Sequence, residues 1–327
     1  MNSSDQTTNR QTTDSLLMIR PASFGFNEQT ASSNAFQKPL GNLSAEEIRR
    51  RAQTEFDNLV EILRAHEINV FVVEDTPVPP KPDAVFPNNW ISFHHDGTVF
   101  LYPMLSEKRN AERRADIIAT LRQNFQIEKT IDLAAGEIGI LEGTGSMVCD
   151  HVNRVIYSCL SPRTDENLLK RFASMIDYEP IVFHCLDGDG AEIYHTNVVM
   201  CVGETLAVIC LDTIKNSDER NLVIRKLAET NHEVIGISVA QMNCFAGNML
   251  EVRNNQNKIF LLMSASARES LTGEQTAKIE SHAKILSANI ETIETIGGGS
   301  VRCMLAEIFA RRNKKNLNRG DAKARRI

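Results

Sequence analysis

NNWISFHHDGTVFLYPM, residues 88–104, holds the pattern that decides the fold. Two short runs rich in β-formers flank a turn at Asp96-Gly97, which reads as a β-hairpin. The arrangement returns in GSMVCDHVNRVIYSCLS (145–161), NVVMCVGETLAVICLD (197–212) and NMLEVRNNQNKIFLLMS (248–264). Aligning the copies superposes Trp90, Met147, Val198 and Met249, at spacings of 57, 51 and 51 residues. A near-constant period of this size marks repeated supersecondary units.

Between the hairpins lie amphipathic stretches. Residues 107–124 carry Ile117, Ile118 and Leu121 at helical spacing, and 218–230 and 273–286 read alike. Each is followed by another apolar run: IEKTIDL, YEPIVFH, HEVIGISV and ANIETIETI. The unit is therefore ββαβ. The N-terminal 80 residues supply LLMIRP, a helix over 44–65 and INVFVVE. The distant segment CMLAEIFA (303–310) completes that first unit and closes a ring. The expected fold is α/β, one domain of five ββαβ units around an axis, rather than an α/β sandwich with coincidental spacing. Residues 1–15 are expected to be a disordered lead-in, because they have almost nothing to bury. The catalytic domain is expected over 16–312, with 313–327 a basic, solvated tail.

Composition narrows the function. With 327 residues, 42% of them hydrophobic and 24% charged, the chain has an ordinary globular balance. A net charge of -6 argues against nucleic acid or an anionic membrane as partner. The longest apolar runs, such as 206–211, are strand-length and far short of a membrane span. The polar N-terminus has no apolar signal core, so a cytoplasmic location is expected. The seven cysteines are odd in number, lack a C-x-x-C pair and fit reduced thiols better than disulfides or a zinc site.

The chemistry gathers where polar residues and glycines interrupt apolar runs at the junctions between units: AVFPNNW, LEGTGSM, IYHTNVV, FAGNML and GGGSVRCM. In a ring these junctions share one end of the axis. They bring a carboxylate (Glu142), an imidazole (His195) and a thiol (Cys303), the parts needed for nucleophilic catalysis. Cys303 follows a glycine run beside Arg302, and a neighbouring cation and free N–H groups are expected to favour its thiolate. His94, His95, His151 and His184 lie off the repeat positions and are read as structural. Asn34, Asn248 and Phe86 are plausible pocket residues. The sequence does not say which of Arg20, Arg109 and Arg302 reaches the pocket.

With those residues in view, the chain resembles the guanidino-group-modifying superfamily of the pentein fold, a five-bladed α/β propeller with pseudo-fivefold symmetry. MIRPASFGFN, FPNNW, LEGTGSM, SPRT, YHTNV, FAGNMLE and GGGSVRCM carry the resemblance, which runs from about residue 16 to 309. It is closest to the citrulline-utilisation hydrolase type, described as arginine-deiminase-related or amidinotransferase-like. The resemblance implies Cys303 as nucleophile, His195 as general acid/base and Glu142 as helper carboxylate. It implies Arg163, within Ser161-Pro162-Arg163-Thr164, as the grip on the substrate carboxylate. It implies no metal and no organic cofactor, and a small amino acid as partner. A homo-oligomer is compatible with it.

The departures from the arginine deiminase pattern bear on the substrate. Where that family has aspartates for the guanidinium, this chain has Asn89, preceded by Phe86 and Asn88, and Asn197; its E-G-G-D motif ends here in Gly145. A cation buried against neutral amides would be left unpaired. A ureido group, with a carbonyl and N–H donors, matches amides that both donate and accept. The expectation is a hydrolase converting L-citrulline to ornithine, carbon dioxide and ammonia through a covalent Cys303 intermediate. The alternatives are an arginine deiminase, an amidinotransferase and, from another class, a non-catalytic pentein binding protein.

Overall fold

The computed structural model describes residues 10–39, 41, 43–135 and 139–313. Their strands form five separate three-stranded sheets. β1 (Ser15–Arg20) and β2 (Asn69–Glu74) belong to the first blade. β3 (Ile91–Phe93), β4 (Thr98–Leu101) and β5 (Lys129–Asp132) form the second. β6 (Val148–Asp150), β7 (Val155–Leu160) and β8 (Glu179–His184) form the third. β9 (Met200–Val202), β10 (Leu206–Ile209) and β11 (Glu233–Gly236) form the fourth. β12 (Leu250–Arg253), β13 (Ile259–Ser264) and β14 (Lys284–Ala288) form the fifth. In these last four blades the first two strands pair antiparallel and the third adds parallel to the second. The first blade borrows its antiparallel strand from the C-terminus: β15 (Ala306–Glu307) pairs with β1, setting Leu16 opposite Glu307 and Leu17 opposite Ala306. The ring of five ββαβ units thus closes as the sequence indicates, and the fold is the pentein propeller.

Each parallel strand needs a crossover, and a helix supplies it. Ala45–Ala65 is the longest of these helices. Ser44 caps it by accepting from Glu47 N, worth about 1 kcal/mol, and Ala52, Phe56, Leu59, Val60 and Leu63 form its buried stripe. Glu166–Ile176 does the same with Leu168, Leu169, Phe172 and Ala173 under an Asp165 cap. The apolar core is divided among clusters between sheets and helices. Polar side chains, among them Gln11, Asn197, Glu251, Arg302 and Glu307, line a cavity left between them.

Three local expectations are corrected. The helix expected over 107–124 is interrupted: a 3-10 segment Glu107–Glu112 precedes the α-helix Ala115–Arg122. The helix expected over 273–286 stops at His282, and the strand that follows is Lys284–Ala288 rather than ANIETIETI, whose Ile293–Gly297 forms a π-helical turn. The end of the assumed lead-in is packed. Gln11 donates to Cys149 O and Val202 O and accepts from His151 N, while Thr13 donates to Ile308 O. Three polar side chains in a row are buried because each finds partners across the ring. Residues 1–9 and 314–327 lie outside the described residues.

Candidate active site

The junctions share one device. Before the inner strand of a blade the chain makes a single tight turn: Pro87–Asn89, Gly143–Ser146, Thr196–Val199 and Val301–Met304 are one-turn helices. These turns contact one another at the end of the axis. Close approach demands two glycines in one of them, Gly143–Ser146. A Cβ on Gly143, whose φ is +48°, would lie 2.3 Å from Asn88 O. On Gly145 it would lie 2.5 Å from Asn89 Nδ2 and 2.7 Å from the His195 ring.

Cys303, His195 and Glu142 come together there. Cys303 and His195 line one cavity with Thr30, Asn34, Asp83, Phe86, Asn89, Arg109, Arg163, Tyr194 and the glycines 297–299. The thiol is 3% exposed and the imidazole 2%, so water is largely excluded. Glu142 is fully buried behind His195 and accepts from its Nε2 at 2.8 Å. Burial alone would raise the Glu142 pKa. Arg163 at 3.4 Å, His195 and Arg109 at 3.9 Å outweigh that and hold the carboxyl well below the usual range. Burial lowers the His195 pKa to about 4 despite the pull of Glu142, with Arg163 and Arg109 adding to the fall. The imidazole is therefore neutral at pH 7. With the ionised Glu142 on Nε2, the ring proton sits there and Nδ1 keeps a lone pair.

The thiol differs from expectation. Burial raises its pKa above the ordinary value; bonds from Asn248, the Ser300 segment and Asn197, and the charge of Arg302, oppose this without reversing it. Arg302 turns away, donating to Leu305 O at 2.9 Å and to Glu307 at 3.0 Å, and lines the separate axial cavity with Asn197, Glu251 and Glu307. It is a rear structural cation that acts on the thiol only through its charge and makes no contact with the catalytic cavity. Arg20 pairs with Asp57 and Glu74, away from the cavity.

Of the other expected pocket residues, Phe86, Asn89, Asn34 and Arg163 line the cavity. Asn197 and Asn248, expected on the wall, are instead behind the sulfur, their Nδ2 atoms 3.6 and 3.4 Å from Sγ. Asn88 is a correction: it is fully buried, its amide has no partner, and it is not on the wall. Arg163 lies over the Tyr194 ring at 4.8 Å, with Nη2 donating to Thr30 O and Ser33 Oγ. The segment carrying Thr30 and Ser33 closes over the site. Asn34 Nδ2 donates to Gly298 O, Gln37 Nε2 to Ile296 O, and Tyr194 Oη to Gly298 O.

Sequence reasoning missed Asp83 and Glu112 and left Arg109 undecided. Arg109 makes a bidentate pair with Glu112 at 2.9 and 2.8 Å and donates from Nη1 to Asn89 Oδ1 at 2.9 Å. Asp83 accepts from Asn27 and Thr30 through Oδ2, and its buried Oδ1 has no partner. The signal for Asp83 was its place just before the AVFPNNW junction. Arg109 and Glu112 lie in the crossover between the second and third strands of one unit and carried no signal. Among the described residues no cluster of His, Cys, Asp or Glu has the geometry of a metal site, and no helix is long and apolar enough to cross a membrane.

Five ββαβ blades with a thiol, an imidazole and a carboxylate gathered at one end define a pentein of the guanidino-modifying class. More particularly, residues 20–310 match the family described as N,N dimethylarginine dimethylhydrolase, eukaryotic, and the chain belongs to that family. Solved structures agree on the fold. ArgZ, an arginine dihydrolase from the ornithine-ammonia cycle in cyanobacteria, matches through its substrate-bound N-terminal domain. The TM-score is 0.70 at 14% identity, over 90% of this chain and 97% of that one. AgrE in complex with L-arginine matches with a TM-score of 0.71 at 17% identity, over 90% of this chain and 40% of that one. A dimethylarginine dimethylaminohydrolase carrying an S-methyl-L-thiocitrulline adduct matches at 0.61 and 13%, over 90% and 99%. No curated protein matches the chain significantly.

Proposed function

We propose that this chain is a cysteine-dependent hydrolase acting on the C–N bonds of an arginine-like amino acid, with L-citrulline as leading substrate. One observation carries the choice of a ureido group: the polarity of the buried Asn89 amide on the cavity wall. Arginine only donates, so Arg109 on Asn89 Oδ1 fixes that oxygen as the acceptor and leaves Nδ2 as an unpartnered donor. Asn197 gives its Nδ2 to the thiol and leaves Oδ1 as an unpartnered acceptor. A ureido group has a carbonyl to meet the Asn89 donor, while Asn197, on the separate axial cavity behind the sulfur, supports the thiol. A guanidinium has donors only and would set N–H against N–H at Asn89. Such a mismatch costs about 1–3 kcal/mol.

Cys303 attacks the ureido carbon and its proton passes to the lone pair on His195, so the buried thiol need not ionise beforehand. Asn89 Nδ2 donates to the oxygen as negative charge develops there. Glu142 stabilises the imidazolium, which then protonates the departing nitrogen. Water, activated by His195, hydrolyses the S–C bond. The sum is citrulline plus water to ornithine, carbon dioxide and ammonia. Arg163 takes the α-carboxylate once the Thr30–Ser33 segment lifts from its guanidinium, and Asp83 Oδ1 takes the α-ammonium.

A second reading has arginine as first substrate, and the unpartnered Asp83 Oδ1 is the observation favouring it, since a buried carboxylate on the cavity wall also suits a guanidinium. Product analysis by mass spectrometry decides between them. Ornithine from citrulline, with arginine turned over more slowly, is the expected result. Faster consumption of arginine contradicts it.

A further inference from the structure

We infer that Glu112 is a positioning residue that sets the substrate class of this site, by locking Arg109 so that Asn89 can present only a donor to the reacting group. The inference rests on the ureido reading above. Glu112 ends the 3-10 segment Glu107–Glu112 and is not on the cavity wall. It reaches the site through one chain of contacts. Its two carboxylate oxygens receive Nε and Nη2 of Arg109, at 2.9 and 2.8 Å. That bidentate grip fixes the plane of the guanidinium and leaves Nη1 aimed at Asn89 Oδ1, 2.9 Å away. Phe86 O takes a longer bond from Nη2 at 3.4 Å. Glu112, Arg109 and Asn89 are each 3% exposed, so water is not at hand to replace a lost partner.

An asparagine amide is nearly symmetric in shape, and a half-turn about its terminal bond exchanges donor and acceptor. What prevents that half-turn is the cation on Oδ1, since flipping would set Nδ2 against an Arg109 N–H. The other charges near Arg109 do not fix its plane: Asp83 lies 3.9 Å from Nε and Glu142 3.9 Å from Nη1. With Glu112 loosened, the fork can rotate and the Asn89 amide can turn its oxygen into the cavity. An inward oxygen accepts from a guanidinium as readily as the present nitrogen donates to a ureido carbonyl. Glu112 therefore acts on discrimination between the two substrates, through two other side chains.

The test is the ratio of kcat/KM for citrulline over arginine in the wild type and in Glu112→Gln, which keeps the shape and removes the charge. The expected result is a wild-type ratio above one that falls at least about tenfold in the variant, carried mainly by the citrulline term. Glu112→Asp, which keeps the charge, is expected to recover part of the ratio. A merely structural Glu112 would lower both substrates alike; an unchanged ratio in Glu112→Gln overturns the lock while leaving the ureido reading standing. A wild type that prefers arginine overturns both. Should Glu112→Gln fail to fold, Glu112→Asp carries the test alone, because its shorter carboxylate cannot hold Nε and Nη2 of Arg109 in the same plane. The ratio must fall there too, and an unchanged ratio overturns the inference.

Discussion

The two walls of the cavity are built on opposite principles. One carries charge: Arg109, Arg163 and Asp83 line it, and Glu142 and Glu112 pair with the two arginines from behind. The other carries none: Asn89, the glycines 297–299 and the thiol, with Asn197 and Asn248 behind it. On the charged wall, ions remove one another's cost, because an unpaired buried charge is expensive. On the neutral wall the group left over is a single amide atom, Asn89 Nδ2. Charge holds the machinery in place, and in the proposed mechanism uncharged polarity meets the reacting carbon.

The largest effect is expected at the sulfur. Cys303→Ala should lower kcat by about ten-thousand-fold or more without unfolding the protein, checked by turnover and thermal melting. Removing the charged support comes next. Glu142→Gln takes away the carboxylate that stabilises the imidazolium, and kcat should fall by about a hundred-fold to ten-thousand-fold with KM little changed. Gly145→Ala tests how closely the walls meet. Its Cβ would press on Asn89 Nδ2 and the His195 ring, so a loss of about tenfold in kcat/KM is expected. The pH profile separates the walls by sign. His195 must be unprotonated to accept the thiol proton, so its contribution to kcat/KM should be lost as pH drops through about 4. The thiol, raised by burial, should show haloacetamide labelling in the free protein that still increases above pH 9, its ordinary value. The smallest effect on catalysis belongs to the rear cation. Arg302→Met should strand the buried Glu307 and cost stability, by about 3 kcal/mol in chemical denaturation, while kcat in the surviving fold stays within a few-fold.

The sequence made the neutral wall legible and hid much of the charged one. Asn89, Asn197, Asn248 and Cys303 sit at junctions that the repeat of Trp90, Met147, Val198 and Met249 marks out, so a ring places them together. Arg109 and Glu112 lie in the crossover of the second unit, where charge reads as an exposed helix face; the chain instead breaks into a 3-10 segment and buries both. Proximity in sequence also misled. Arg302 adjoins Cys303, yet the single turn Val301–Met304 points the two side chains to different cavities. In the fifth blade, 273–286 has apolar residues that serve a helix or a strand equally, and pairing of Lys284–Ala288 with β13 decided the boundary. Ring closure was legible because CMLAEIFA has no other partner in the count of units.

The most direct test of the account is a rapid-quench reaction of the wild type with L-citrulline, followed by intact-protein and peptide mass spectrometry. The account predicts a transient carbamoyl or ornithine-carbamoyl adduct on the peptide containing Cys303, formed and lost at rates that match release of ornithine. Ornithine release with an unmodified Cys303 throughout, or an adduct that forms from arginine and never from citrulline, would contradict it.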